Sequence, residues 1–280
     1  MTRDLLPLLR KVLGDRYAID REVGRGGAAR VFLAHRSGGE PAALKVLNPQ
    51  LAASVAAERF LLEIRLVSRL DHPRIAALLD SGEEDWILYY VMEFVPGPTL
   101  KQHLDRVRRC PVSDTLRIAN DLLSALEYAH DQGIVHRDVK PENIVLSPRG
   151  AVLVDFGIAK AVASSGNDRL TRSGFAVGTS AYMSPEQISG AEDIECRSDL
   201  YSLGCVLFEC LAGRPPFEDP FDEIVLQMHQ QQAPPDLRVL NPDVPGGLVE
   251  VIERALAKPR DDRWASAAEM QAALPSFAAS

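Results

Sequence analysis

Cysteine is scarce in this chain, with four among 280 residues, at positions 110, 196, 205 and 210. None form a Cys-x-x-Cys pair, and none stand at zinc-finger spacing with histidine. Reduced thiols in a cytosolic setting are the simple reading, with Cys205 and Cys210 as small core residues in an apolar run. Positive charge is also in deficit: 31 Lys and Arg against 39 Asp and Glu, a net charge of -8. That balance argues against nucleic acid or an anionic membrane as the main partner, yet allows a local basic pocket for phosphate. Long apolar runs are missing as well. The best candidate, 200–211, is about a dozen residues long where a membrane span needs about 20, and it contains Glu209. It reads as a buried helix, and no membrane segment is expected. The apolar stretch at the N-terminus is short and interrupted by Pro7, Arg10 and Lys11, unlike a signal peptide. Internal repeats and low-complexity tracts are not found.

What is present is an ordinary globular composition, 46% hydrophobic and 25% charged, in a chain long enough for a large core or two compact lobes. Residues 3–13 read as a short amphipathic helix broken near Pro7. Tyr17, Ile19, Arg21 and Val23 alternate as in a half-buried strand, and Val31–His35 forms a second, so the glycines at 24–27 join a hairpin. Ala42–Leu47 is a third strand, and 54–70 has helical character ended by Asp71-His72-Pro73. Strands near 75–80 and 86–93 are expected to be separated by a turn at 81–85. The first 95 residues thus read as a small antiparallel sheet with one helix on it. After Pro96-Gly97-Pro98 helices dominate, near 99–108, 113–132, 198–212, 220–231, 245–257 and 265–273. The stretch 133–197 is long and irregular, with strand-like pieces at 144–146 and 151–154. Loops of that length inside a compact domain usually have a functional cause.

That loop opens with IVHRDVKPENIVL, in which apolar pairs bracket Arg137, Asp138, Lys140, Glu142 and Asn143. The glycine turn VGRGGAARVF would let backbone N–H groups approach an anion, though alone it is a weak signal, and a plain hairpin is the blander reading. It is not a dinucleotide fingerprint, which needs a helix after the glycines, and no Gly-Lys-Ser/Thr phosphate loop occurs. Lys45, isolated in AALKVL, needs an anionic partner or a path to water. Glu63 and Glu58 on the following helix are candidates; Glu63 lies on the apolar side and is preferred. Asp155 follows the apolar run 151–154. If 144–146 and 151–154 pair as a hairpin, Asn143 and Asp155 come to one end, where they could offer oxygens to a hard cation such as Mg²⁺. An Asx turn at each place is the alternative.

Together these residues resemble the eukaryotic-like (Hanks-type) serine/threonine protein kinases, especially their bacterial branch, over about 15–273. The motifs run in that family's order: GRGGAARV at 24–31, AALK at 42–45, Glu63, HRDVKPEN at 136–143, DFG at 155–157, SPE at 184–186, SDLYSLG at 198–204 and Arg263. The resemblance implies an α+β, two-lobed protein kinase fold. An extension at 1–16 would precede an N-lobe at 17–95, a small antiparallel sheet with one main helix. The larger, mostly helical C-lobe would follow at 96–275, with an activation segment at 155–186. It further implies that Val23, Gly24, Gly26 and Gly27 cover the phosphates of ATP. Lys45 would bind the α- and β-phosphates with Glu63 as its ion-pair partner. Met92 would stand at the gatekeeper position, Glu93 and Val95 would offer backbone groups to adenine, and Val31, Ala43 and Val145 would pack on its faces. Asp138 would orient the substrate hydroxyl and accept its proton, Lys140 would neutralise charge on the phosphoryl group, and Asn143 and Asp155 would hold Mg²⁺ or Mn²⁺.

Two departures stand out. Ala29 replaces the loop's third glycine, and Ser184 opens the motif usually written Ala-Pro-Glu, in which Glu186 can still pair with Arg263. Lys140 and Gly178-Thr179 resemble serine/threonine rather than tyrosine specificity. The resemblance implies ATP-dependent phosphorylation of protein Ser/Thr hydroxyls. Thr171 and Ser173 would be autophosphorylation sites whose phosphate pairs with Arg137. The rival classes are an ATP-binding pseudokinase scaffold and a small-molecule phosphotransferase. A cytoplasmic protein is expected, either stand-alone or the catalytic part of a longer one, since bacterial relatives often add a membrane anchor and a sensor domain. Relatives can form homodimers through the N-lobe.

Overall fold

A computed structural model of the chain describes residues 5–26, 29–48, 57–156 and 180–275, with the side chains of 57–59 excepted. Gly27, the side chain of Glu58, and Thr171, Ser173, Gly178 and Thr179 of the activation segment lie outside the described residues. The chain divides into two compact units. Of the described residues, one holds those up to Asp71 together with Ala76–Val95, the other His72–Ile75, those at 96–156 and those at 180–275.

The first unit contains α1 (Leu6–Leu13), β1 (Ala18–Arg25), β2 (Ala29–His35), β3 (Pro41–Leu47), α2 (Ala57–Val67), β4 (Leu78–Glu84) and β5 (Ile87–Glu93). The strands form one antiparallel sheet in the order β1-β2-β3-β5-β4. Successive side chains of a strand point to opposite faces. Phe32, Ala34, Ala42, Leu44, Val46, Tyr89 and Val91 therefore share one face, and Leu9 and Leu13 of α1 complete their core. The other face carries Val31, Ala43, Lys45 and Met92: Val31 pairs with Lys45 and Ala43 with Met92 across the strands. Pro7 does not break α1. It sits in the helix's first turn, where its missing N–H costs nothing. Arg10 then ties the helix to β1 through the carbonyls of Ile19 (2.8 Å) and Asp20 (2.7 Å).

The turn between β4 and β5 is also not where the glycine suggested. β4 runs on through Glu84, and the chain reverses at Asp85 and Trp86, both with positive φ (47° and 66°). That pair of left-handed residues is what a two-residue hairpin turn requires. Gly82 is instead a strand residue paired with Tyr89, and glycine is needed there because a Cβ would lie 2.6 Å from the Tyr89 hydroxyl.

The second unit is mostly helical. In chain order it has α3 (Leu100–Val107), α4 (Val112–Asp131), the hairpin of β6 (Ile144–Ser147) and β7 (Gly150–Leu153), α5 (Pro185–Ser189), α6 (Cys196–Ala212), α7 (Asp222–Gln231), α8 (Leu237–Leu240), α9 (Gly246–Ala255) and α10 (Ala267–Ala272). The apolar run at 200–211 is the buried helix expected of it: every residue of α6 from Ser198 to Ala212 is buried. Gly204 lets α9 approach, since a Cβ there would come within 3.0 Å of the Ala255 Cβ. Among the described residues no helix is long and apolar enough to cross a membrane.

Candidate active site

The polar insert at 136–143 is anchored from α6. The Asp199 carboxylate, 1% exposed, accepts the backbone N–H groups of His136 and Arg137, both at 2.8 Å, and contacts the His130 ring nitrogen at 2.8 Å. The side-chain amide of Gln187 donates to the Arg137 carbonyl (2.9 Å). These bonds hold Arg137 at a φ of 64°, a left-handed conformation that costs a non-glycine residue about 1–3 kcal/mol. The fully buried His136 ring packs 4.5 Å from the Phe156 ring, and its Nδ1 accepts the Asp138 N–H (3.2 Å). Burial pulls the His136 pKa below its ordinary value despite the nearby carboxylates of Asp199, Asp138 and Asp155, so the ring is a neutral structural group.

Asp138, Lys140 and Asn143 are in direct contact. Lys140 Nζ lies 2.9 Å from Asp138 Oδ2, and Asn143 Nδ2 donates to the Asp138 carbonyl and to Oδ2, both at 2.9 Å. Burial opposes the charge on Lys140, but Asp138 beside it, with Glu142 and Asp155 behind, outweighs that and raises its pKa above the ordinary lysine value. The expected hairpin forms: Ile144 pairs with Leu153, and the Val154 N–H donates to the Asn143 carbonyl (2.9 Å). Asp155, next in the chain, is thus brought to the same end of the hairpin as Asn143, with a φ of 67°. With Nδ2 of Asn143 engaged by Asp138, its Oδ1 and the Asp155 carboxylate are the oxygen donors at this end. Among the described residues there is no cluster of three His, Cys, Asp or Glu to hold a metal by itself. Two oxygens suit Mg²⁺, which takes its remaining ligands from phosphate and water.

In the first unit, Lys45 is half-buried with Nζ 5.6 Å from the Tyr90 ring centroid. Glu63, on α2, is also half-buried. Gly24 pairs with Val31, and the Gly26 N–H donates to the Ala29 carbonyl (2.9 Å). A Cβ at either glycine would make only ordinary contacts, at 3.6 and 3.7 Å, and neither φ is positive. The fold itself therefore does not require glycine there, which fits a backbone kept bare for something outside the chain. Glu22, next to the exposed Val23, is held by Arg25 (2.6 Å) and Arg30 (3.1 Å), which lower its carboxyl to about 2. Met92 and Val95 are buried, and the Glu93 N–H donates to the Ala77 carbonyl (2.8 Å). Val145 is buried in β6 of the second unit.

Ser184, in place of the usual alanine, caps α5 by accepting the Gln187 N–H, and so positions the residue that grips Arg137. Glu186 and Arg263, 77 residues apart, form a bidentate pair at 2.7 and 2.9 Å, with Arg263 1% exposed. Burial alone would raise the Glu186 pKa; the Arg263 guanidinium overrides it and holds the carboxyl below its ordinary value.

His130 and Gln187 were not among the residues singled out from sequence, and Asp199 was marked only as part of the SDLYSLG motif at 198–204, with no role given; a carboxylate at the head of an apolar helix needs buried donors.

Comparison with known proteins adds a family. The protein kinase domain family matches residues 17–273. A probable serine/threonine-protein kinase of Streptomyces coelicolor is 41% identical over 92% of this chain and 39% of its own length. The serine/threonine-protein kinase PknB of Mycobacterium tuberculosis is 39% identical over 94% of this chain and 43% of its own. The probable PknB of Lactococcus lactis is 38% identical over 93% and 42%. The chain therefore spans about two fifths of the length of these curated relatives. Among solved structures, Rad53 1-466 in complex with AMP-PNP matches with a TM-score of 0.77 and 25% identity, over 93% of this chain and 65% of that one. The α+β architecture expected from the sequence, a five-stranded antiparallel sheet with helix and a mostly helical part, is the architecture shared with that structure.

Proposed function

The chain belongs to the protein kinase domain family, and we propose that it transfers the γ-phosphoryl group of ATP to serine and threonine hydroxyls of proteins. The observation that carries this reading is the Asp138–Lys140–Asn143 contact at the end of the β6–β7 hairpin. Asp138 takes the hydroxyl proton, its carboxylate fixed by Asn143 and Lys140 so that one oxygen faces the substrate. A positioned base of this kind contributes about 10²–10⁴-fold. Lys140, kept charged by its surroundings, neutralises the phosphoryl oxygens. Asn143 and Asp155 would hold Mg²⁺, which when bound supplies further charge neutralisation on the phosphates. Lys45 and the bare backbone at Gly24 and Gly26 are assigned to the nucleotide's phosphates, with Gly27, and the Glu93 carbonyl to the adenine amine. The protein substrates are those of a serine/threonine kinase, as the names of the similar proteins suggest. Four unpaired cysteines support a reducing, cytoplasmic setting.

Arg137 supports the finer reading that the chain phosphorylates itself. Its guanidinium is half-buried and, among the described residues, has no acidic partner. Phosphate on Thr171 or Ser173 would supply one. The test is intact mass after incubation with Mg-ATP, followed by phosphopeptide mapping, with Asp138→Asn as control. Stepwise phosphate gain in the wild type alone, centred on Thr171 and Ser173, is the expected result. Phosphate elsewhere would overturn the site assignment. No gain and no transfer to a general protein substrate would overturn the activity.

A further inference from the structure

An open cavity of about 570 Å³ in the second unit is lined by α5, the C-terminal end of α7 and the segment after α9. Its acidic groups are matched: Glu186 by Arg263, and Asp193 by Arg260 at 2.8 Å. Its remaining cation, Lys258, is not. Among the described residues no carboxylate lies within ion-pair distance of Lys258. Its Nζ instead reaches the Tyr201 hydroxyl (3.2 Å) and the Met228 carbonyl (3.4 Å), and lies 4.2 Å from the Phe217 ring centroid. The Tyr201 hydroxyl also shares a hydrogen bond with Nδ1 of buried His229 (2.8 Å). The charged group beside the amine is the Arg263 guanidinium; the Cys205 thiol, whose pKa burial pushes up, is neutral, as are His229 and Tyr201.

A lysine held by aromatic rings and neutral acceptors, without a counter-ion, is disposed to act as an amine rather than an ammonium. We propose that Lys258 is an acylation site, taking an acyl group from an acyl phosphate that enters this cavity. The amine nitrogen forms an amide bond to the acyl carbon, the carbon–oxygen bond to phosphate breaks, inorganic phosphate leaves with the bonding pair, and the amine proton passes to solvent. Burial, reinforced by the Arg263 cation, brings the Lys258 pKa down to about 8. About a quarter of it is then neutral at pH 7.5, against about a thousandth of an ordinary lysine. Weaker basicity offsets part of that advantage.

The experiment needs neither ATP nor kinase activity. The whole chain is incubated with acetyl phosphate at pH 7.5 and acetylation of each lysine is followed by peptide mass spectrometry. Lys101, paired with Asp105 at 2.6 Å and raised above its ordinary pKa, is the internal reference. Lys258 is expected to react about ten-fold faster than Lys101, and the preference to vanish in urea-unfolded chain. Equal or slower reaction at Lys258 overturns the proposal. So does a preference that survives unfolding, because it would then owe nothing to the cavity.

Discussion

His229 shares the Tyr201 hydroxyl with Lys258 and is fully buried, edge-on to Phe217 at 4.9 Å. Burial, and then the Lys258 cation, push its pKa down to about 3, with the Ala181 backbone opposing in part. An unfolded histidine binds its proton near 6.5. Below that pH the unfolded state gains a proton the folded state refuses, so stability is complete above about 6.5 and is lost as pH falls toward 3. Between pH 7 and 5 the loss from this one ring comes to about 2 kcal/mol. Urea denaturation at a series of pH values should show that slope in the wild type and a flatter one in His229→Gln. An unchanged slope in the variant would mean that other groups set the acid sensitivity. This ring was legible in the sequence only as a polar residue amid apolar ones, and Asp199 only as a member of the SDLYSLG motif, without its role. Their partners lie 28 to 69 residues away, a separation that spacing cannot bridge.

At the scale of elements, α1 is the part whose role the sequence understated. Its amphipathic pattern was legible, but it was read as an extension at 1–16 ahead of the lobe, without a packing role. In the fold Leu9 and Leu13, both 0% exposed, close the sheet face built from Phe32, Leu44, Tyr89 and Val91. Removing either leucine side chain leaves a void in that core. Leu9→Ala is expected to cost about 2–5 kcal/mol, read as a lower denaturation midpoint, whereas Leu8→Ala, on the exposed side of the helix, should stay within about 0.5 kcal/mol. Equal effects of the two would show that α1 does not pack as described. The strands were legible because alternation survives in short segments, and the β4–β5 turn was misplaced because Gly82 signals a turn while Tyr89 needs the space. The helices α5 and α8, five and four residues long, left no periodic trace; elements that short rest on capping and packing rather than on propensity.

For the molecule as a whole, the candidate site was legible to the extent that its chemistry is compressed into neighbouring residues. Asp138, Lys140 and Asn143 lie within one loop, and a hairpin of two four-residue strands returns the chain to Asp155. What supports them was not: Gln187 reaches Arg137 across 50 residues, and Arg263 reaches Glu186 across 77. The assignment of Asn143 and Asp155 to Mg²⁺ has a consequence for the entire folding equilibrium that is independent of turnover. A ligand that binds only the folded state adds RT ln(1 + [L]/Kd), about 2.7 kcal/mol at a hundred times Kd. In a chain of this size that raises Tm by about 5 °C or more. Wild type should therefore melt higher with ATP and Mg²⁺ than with ATP and EDTA. Asp155→Asn keeps the size and shape of the side chain but removes the charge that a hard cation seeks, so its melting temperature in ATP should be the same with Mg²⁺ or EDTA. Lys45→Ala should lower the ATP shift in both conditions, since its assigned contact is with phosphate and not with metal. A Mg²⁺-dependent shift that persists undiminished in Asp155→Asn would place the cation on other oxygens.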